Sequence, residues 1–281
     1  MKRPTSVLLL GDLADTRIAA ERDRLIDWLR ARGVRAQLVR ESTRRLDRRA
    51  GLAIVLGGDG AFLRAARRLE GSSCPLIGIR LGSFGYLAEL EPENWEPELK
   101  RLLEGKGSVE HWMRLACRIR RAGRPDRSEL ALNEVAVTSA RVARILTLNL
   151  RIDSEDISQY RGDGLIVASP VGSTAYSMAA GGPIIEPRDR CLLLTPLTAH
   201  ALTFRPLVLN AERRVELKVG PVRSGAAVTL DGREPVELRQ GDIIEVRASS
   251  KDLRVASIVD RSRFRTLRER LHWGAPLVET S

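Results

Sequence analysis

Leu52-Ala53-Ile54-Val55-Leu56 is a short apolar run that leads straight into Gly57-Gly58-Asp59-Gly60. Phe62-Leu63-Arg64-Ala65-Ala66-Arg67-Arg68-Leu69 follows with helical spacing. A buried strand therefore runs through a glycine turn into a helix start, and the chain around it must supply neighbouring strands and covering helices. Glycine lets backbone N–H groups approach a phosphate closely, and a helix N-terminus favours negative charge. Asp59 is the one carboxylate in the turn. It would repel a phosphate unless it has another task, such as holding a metal or accepting a proton from a hydroxyl.

The same alternation surrounds this turn. Strands are expected at Ser6 to Leu10, Val34 to Val39 and Leu76 to Ile79, and helices at Arg17 to Arg32, Ala61 to Leu69 and Trp95 to Glu104. The order implies a mostly parallel sheet covered by helices. Ligands of such sheets sit beyond the carboxyl ends of strands. Gly57–Gly60 stands at one such end and Leu81-Gly82-Ser83-Phe84-Gly85-Tyr86 at another, so the two turns read as a pocket rim.

From about residue 108 the period changes. Leu115 to Ile119, Leu130 to Val137, Ile145 to Ile152, Leu165 to Ala168, Arg214 to Val219, Ala227 to Leu230 and Asp242 to Ser249 read as short strands separated by turn residues. The expected fold class is α/β: an N-terminal Rossmann-like domain with a parallel sheet, over residues 1–108, and a β-rich, sandwich-like domain over 109–260. A C-terminal helix within 261–274 is expected to pack back on the first domain.

A net charge of +11 suits an anionic ligand. Nucleic acid is not expected, because the basic residues are scattered and neither zinc-finger spacing nor an RNP-like segment is present. Cys74, Cys117 and Cys191 lack paired spacing, as do His111, His200 and His272, which argues against disulfides and a metal cluster. No apolar run suits a signal peptide or a membrane span. The chain reads as soluble, cytoplasmic and free of membrane partners.

Three further clusters carry chemistry. Asn133-Glu134 lies amid Leu130, Leu132, Val135 and Val137. Neighbours on a regular strand point to opposite faces, so both reach one ligand only if the strand ends or bulges there. A carboxylate beside an amide suits a sugar diol. Next, Tyr160 to Ser177 is again strand, turn and helix, with Gly172 freeing the turn and Ser173 or Thr174 placed to cap the helix. Ser173, Thr174, Tyr176 and Ser177 offer the neutral donors and acceptors that a base or ribose needs. Gly181-Gly182-Pro183 ends that helix. Third, Leu194 to Leu209 presents His200 and Arg205 as possible ligand contacts.

Taken together, Gly57-Gly58-Asp59-Gly60, Asn133-Glu134, Gly172-Ser173-Thr174-Ala175-Tyr176, and Thr195-Pro196 through Pro206-Leu207-Val208 resemble the bacterial NAD kinase family, in that family's order. The likeness extends to Leu271-His272-Trp273-Gly274. The resemblance implies phosphoryl transfer from ATP or polyphosphate to the 2′-hydroxyl of the adenosine ribose of NAD. It implies Asp59 as general base, with Gly58, Gly60, Tyr86, Asn133, Glu134, Arg144, Arg161, Asp163, Thr174, Ala175, Tyr176, Ser177 and Arg233 at the nucleotide site. Mg²⁺ is expected to arrive with ATP, with no metal ligand assigned directly and no prosthetic group. A homodimer or homotetramer with sites shared between subunits is also implied.

Four positions depart from the family pattern. Ala61 stands where Thr or Asn is common, Val171 for threonine, Tyr86 for phenylalanine, and Arg233 near a glutamine position. No Walker A pattern and no protein-kinase glycine loop is present. Two other readings compete. A lipid kinase of the diacylglycerol or sphingosine type would share Gly57–Gly60 but not Asn133-Glu134, and a nucleotide sensor without turnover would keep the pocket.

Overall fold

The structure is a computed structural model, describing residues 3–12, 15–40, 42–47, 49–81, 85–140, 145–201, 203–221 and 225–258, with Arg268, Leu271 and Trp273. The chain divides into two compact units, Met1–Glu110 with Arg254–Ser281, and His111–Leu253. Apart from Arg268, Leu271 and Trp273, the helix expected within 261–274 lies outside the described residues.

The first unit is built on a six-stranded sheet in the order Arg35–Leu38, Ser6–Gly11, Leu52–Leu56, Leu76–Ile79, Leu253–Ser257 and Ser108–Trp112. Ser6–Gly11 pairs in parallel with both of its neighbours, as Leu52–Leu56 does with Leu76–Ile79. Leu52 to Leu56 and Leu76 to Ile79 are buried along their whole lengths, which is why they read as unbroken apolar runs. Helices Thr16–Arg30 and Trp95–Leu103 turn Leu25, Leu29, Leu99 and Leu102 into its core, and Asp59–Arg68 buries Phe62, Ala65 and Ala66. Leu253–Ser257 joins this sheet beside Leu76–Ile79 through Val255 and Leu76, although the sequence reading runs the β-rich domain to residue 260.

The Asp59–Arg68 helix begins two residues before the expected Ala61. Gly58 takes the N-cap position with φ −87° and ψ −168°, and Asp59 falls in the first turn, where the helix dipole favours a carboxylate.

The second unit holds two antiparallel six-stranded sheets. One runs in the order Glu155–Gly162, Leu146–Ile152, Arg214–Val219, Ile243–Ala248, Leu115–Arg120 and Arg127–Ala131. The other runs Leu207–Asn210, Cys191–Leu197, Gly164–Ala168, Glu134–Ser139, Ala226–Leu230 and Val236–Leu238. Leu148, Leu150, Leu217 and Val246 of the first meet Val135, Val137, Val167 and Leu194 of the second in one core. The opposite face of the second sheet is also buried. Ala136, Ile166, Ala168 and Leu193 form a separate cluster there, covered by Ala180 and Ile185.

The single strand expected over Leu130 to Val137 is two strands in different sheets. Arg127–Ala131 ends, the chain crosses at Leu132-Asn133, and Glu134–Ser139 begins in the other sheet.

Candidate functional site

In the first unit, Gly57 has φ +138°, and a Cβ there would lie 2.8 Å from the Ala61 Cβ. The turn therefore requires glycine, and Ala61 is the small, buried residue it packs against. The Asp59 carboxylate is held from a different loop: the Tyr86 N–H donates to Oδ2 at 2.8 Å and the Leu87 N–H to Oδ1 at 2.9 Å. One donor on each oxygen fixes the plane of the carboxylate. A carboxylate offers about four lone-pair sites, so Asp59 keeps capacity to accept a further proton or hydrogen bond. Tyr86 thus meets Asp59 through its main chain. Gly82, Ser83 and Phe84 of that turn lie outside the described residues.

In the second unit, the break between Arg127–Ala131 and Glu134–Ser139 creates a buried polar platform. Asn133 and Glu134 are 8% and 7% exposed. The Tyr176 N–H donates to the Glu134 carboxyl. Asn133 Oδ1 and Glu134 Oε2 have no hydrogen-bond partner among the described residues. Two orphaned acceptors in a buried place cost stability unless water or a bound group satisfies them. Burial, and then the neighbouring Asp231 carboxylate, push the Glu134 carboxyl up to about 8, against the opposing Tyr176 N–H. Glu134 therefore holds a proton more tightly than an exposed carboxyl, and in its protonated form it can donate as well as accept.

The segment after Gly164–Ala168 is locked onto this platform. The Ser169 N–H donates to the Asn133 carbonyl at 2.8 Å, and its hydroxyl donates to the Leu132 carbonyl at 2.5 Å. A Cβ on Gly172 would lie 2.0 Å from the Asn133 carbonyl oxygen. Gly172 serves this close approach, rather than the turn freedom expected of it. A 3₁₀ turn over Val171–Thr174 leads into a helical turn over Tyr176–Ala179, with Ala175 between them.

Neither Ser173 nor Thr174 caps that helix. The Ser173 hydroxyl donates to the Pro170 carbonyl at 2.6 Å and accepts from the Ile185 N–H at 2.9 Å, while Thr174 Oγ1 donates to the Val171 carbonyl at 3.2 Å. Ser177 is fully buried, its hydroxyl 2.7 Å from that of Thr195. Tyr176, by contrast, is 45% exposed, with its ring free to meet a partner.

The expected site residues of this unit fall into two groups. Glu134 pairs with Ala168, and Gly164 pairs with Thr138 and Leu197 at the other end of the same strand. Four residue steps separate these ends, or about 14 Å. Asn133, Glu134 and the Gly172–Ser177 segment share one end. Arg161 and Asp163 occupy the other, where the Asp163 N–H donates to the Leu197 carbonyl at 3.0 Å. The exposed His200 joins them, its N–H donating to the Arg161 carbonyl at 3.0 Å. Arg205, also exposed, donates to the Phe204 carbonyl. Arg233 lies at the Glu134 end but grips the protein. Its guanidinium donates to the carbonyls of Leu230 and Leu130 at 2.7 and 2.8 Å and to Glu129 at 2.5 Å. Arg144 lies outside the described residues.

The chain matches the models of the ATP-NAD kinase N-terminal domain over residues 15–107 and the ATP-NAD kinase C-terminal domain over 132–258. The chain belongs to the ATP-NAD kinase family. It is 38% identical to an NAD kinase of Heliobacterium modesticaldum, over 96% of this chain and 99% of that one. It is 32% identical to an NAD kinase of Geotalea daltonii, over 95% and 98%. Among solved structures, it is similar to an NAD kinase from Archaeoglobus fulgidus in complex with ATP. That match has 30% identity and a TM-score of 0.78 over 95% of this chain and 98% of that one. The fold is also that of yeast NADH kinase complexed with NADH, at 21% identity and a TM-score of 0.89 over 100% and 91%. The activity is that of a phosphotransferase acting on NAD.

Sequence reasoning missed Asp231. Asp231-Gly232 reads only as a turn between strands. Its carboxylate nevertheless accepts from the N–H groups of Leu132, Asn133 and Glu134. Ser169 and Thr195 were likewise not singled out for the contacts they make.

Proposed function

We propose that the chain transfers the terminal phosphoryl group of ATP, or of polyphosphate, to the 2′-hydroxyl of the adenosine ribose of NAD. The carrying observation is Asp59: an oriented carboxylate, with lone pairs to spare, in a glycine turn at a helix start. The 2′-hydroxyl proton passes to Asp59, the oxygen attacks the terminal phosphorus, the bridging P–O bond breaks, and ADP, or the polyphosphate shortened by one phosphate, leaves. The first-turn N–H groups of the Asp59–Arg68 helix favour the phosphate charge. A positioned base is worth about 10²–10⁴-fold.

Asn133 and Glu134 are assigned to the ribose and adenine, since their unpaired buried oxygens match hydroxyl and amino donors. Tyr176 offers an exposed ring for stacking. Thr174, Ala175 and Ser177 shape the same segment, Ser177 through its buried bond to Thr195. Gly58 and Gly60 flank the base in the turn.

Among the described residues no group of three His, Cys, Asp or Glu side chains could hold a metal ion. Mg²⁺ is assigned to the phosphates of ATP, where it would neutralise developing charge.

The separation of Arg161 and Asp163 from Glu134 supports a site completed by a second copy of the chain, in a dimer or tetramer. Leu207 and Val208, exposed on an edge strand, suit self-association. A cytoplasmic setting is supported by three unpaired, buried cysteines. No helix among the described residues is long and apolar enough to cross a membrane.

The test is incubation with Mg²⁺, ATP and NAD, with the product's phosphate position read by ³¹P and ¹H NMR. A 2′-phosphate on the adenosine ribose is expected. Binding of NAD without turnover, or phosphorylation of a lipid alcohol instead, would overturn the proposal.

A further inference from the structure

We propose that Asp231 is the positioning residue for the Asn133–Glu134 contacts, a role that rests on the reading of those two residues as dinucleotide contacts. Its carboxylate gathers three successive backbone N–H groups. Leu132 donates to Oδ2 at 2.9 Å and Oδ1 at 3.1 Å, Asn133 to Oδ1 at 2.8 Å, and Glu134 to Oδ1 at 3.3 Å. The grip is reciprocal, because the Asp231 N–H donates to the Glu134 carbonyl at 3.1 Å. To make it, Asp231 adopts φ +51°, a left-handed conformation that Asp tolerates better than most residues.

Three consecutive N–H groups cannot converge on one carboxylate from a regular strand, whose amides alternate in direction. The clasp therefore coincides with the crossing from one sheet to the other at Leu132-Asn133. That crossing frees Asn133 and Glu134 from strict strand alternation. Arg233 secures the same loop to the preceding strand through Leu130 and Glu129. With the backbone donors absorbed by Asp231, the side-chain oxygens Asn133 Oδ1 and Glu134 Oε2 stay buried and unpaired. The raised Glu134 carboxyl, for which Asp231 is the second cause after burial, is in keeping with this proximity. Asp231 touches no substrate in this account. It acts by holding the atoms that do.

The experiment compares Asp231→Asn and Asp231→Ala with Asn133→Ala in the full-length enzyme, measuring kcat, KM for NAD, KM for ATP and Tm. Asn keeps the shape and the left-handed conformation while replacing one carboxylate oxygen with a donor, so it serves where Ala fails to fold. Asp231→Asn is expected to raise KM for NAD about 10- to 100-fold, the scale of small misplacements at a site. KM for ATP should stay within about twofold and kcat within a few-fold. Asp231→Ala should be worse than Asp231→Asn on KM for NAD, so that the isosteric variant partly rescues. If Asn133→Ala weakens NAD but Asp231→Asn does not, positioning is overturned. Equal rises in both KM values, tracking lost Tm, would overturn it as well. If Asn133→Ala leaves NAD binding unchanged, the underlying assignment of the contacts fails, and the proposal with it.

Discussion

Replacing Glu134 by Gln should reduce the decline in stability with pH between pH 6 and pH 8. Glu134 is 7% exposed, with the Asp231 carboxylate nearby, and its carboxyl rises from 4.5 to about 8. A carboxyl that holds its proton more tightly when folded makes the native state bind more protons than the unfolded chain through that window. Stability is then unaffected below about 4.5, falls as pH rises, and levels off above the folded value. The slope approaches about 1.4 kcal/mol per pH unit. From pH 6 to pH 8 this amounts to about 2 kcal/mol, the last part flattened as the folded carboxyl begins to ionise. For a unit of this size, 2 kcal/mol corresponds to about 4–8 °C in Tm. Gln keeps the shape and one carbonyl acceptor but does not titrate. Scanning calorimetry of both proteins at pH 6, 7 and 8, without nucleotide, reads the difference directly. Wild type should lose several degrees more than Glu134→Gln over that range. Equal losses in the two proteins would refute the reasoning, because Glu134 would then ionise as it does in the unfolded chain.

Other substitutions probe the same platform. Gly172→Ala places a Cβ 2.0 Å from the Asn133 carbonyl oxygen, a backbone atom with little room to yield. It should cost about 1–3 kcal/mol or more by denaturant unfolding and raise KM for NAD, and unchanged stability would contradict the packing described. Ser177→Ala leaves the buried Thr195 hydroxyl without its 2.7 Å partner. A loss of about 1–3 kcal/mol is expected, and the double variant with Thr195→Val should recover part of it in a double-mutant cycle. Mixing Asp59→Asn with Asp163→Ala should restore activity above that of either variant alone if a second copy completes the site. Purely additive inactivity after subunit exchange would speak against a shared site.

Leu52–Leu56 and Leu76–Ile79 were legible because they are buried on both faces, and Asp59–Arg68 because it is amphipathic, whereas the half-exposed edge strand Ser108–Trp112 was not expected. The strand Glu155–Gly162 was not legible either, because most of it is exposed and polar. Its partner Leu146–Ile152 and a tight turn with Asp153 and Ser154 at φ 51° and 77° define it instead. The break inside Leu130 to Val137 was legible only as a condition, that the strand ends or bulges if Asn133 and Glu134 are to share a ligand. Every apolar residue there suits a strand, and the group that interrupts it, Asp231, lies 98 residues further on from Asn133. At the site, Asp59 could be read locally because it is anomalous in its turn. Its two backbone donors come from Tyr86 and Leu87 and left no local trace. Serines and threonines near a helix suggested caps, whereas Ser173 and Ser177 brace tertiary contacts. Local pattern shows which residue types are present; long-range packing decides what they bond.

The central claim is that Asp59 takes the proton from the acceptor hydroxyl. The most direct measurement is single-turnover kinetics of Asp59→Asn beside calorimetric titration of NAD. The account predicts a chemical step slowed by at least about a hundredfold with NAD affinity within a few-fold of wild type. A chemical step at near wild-type rate in that variant would contradict it.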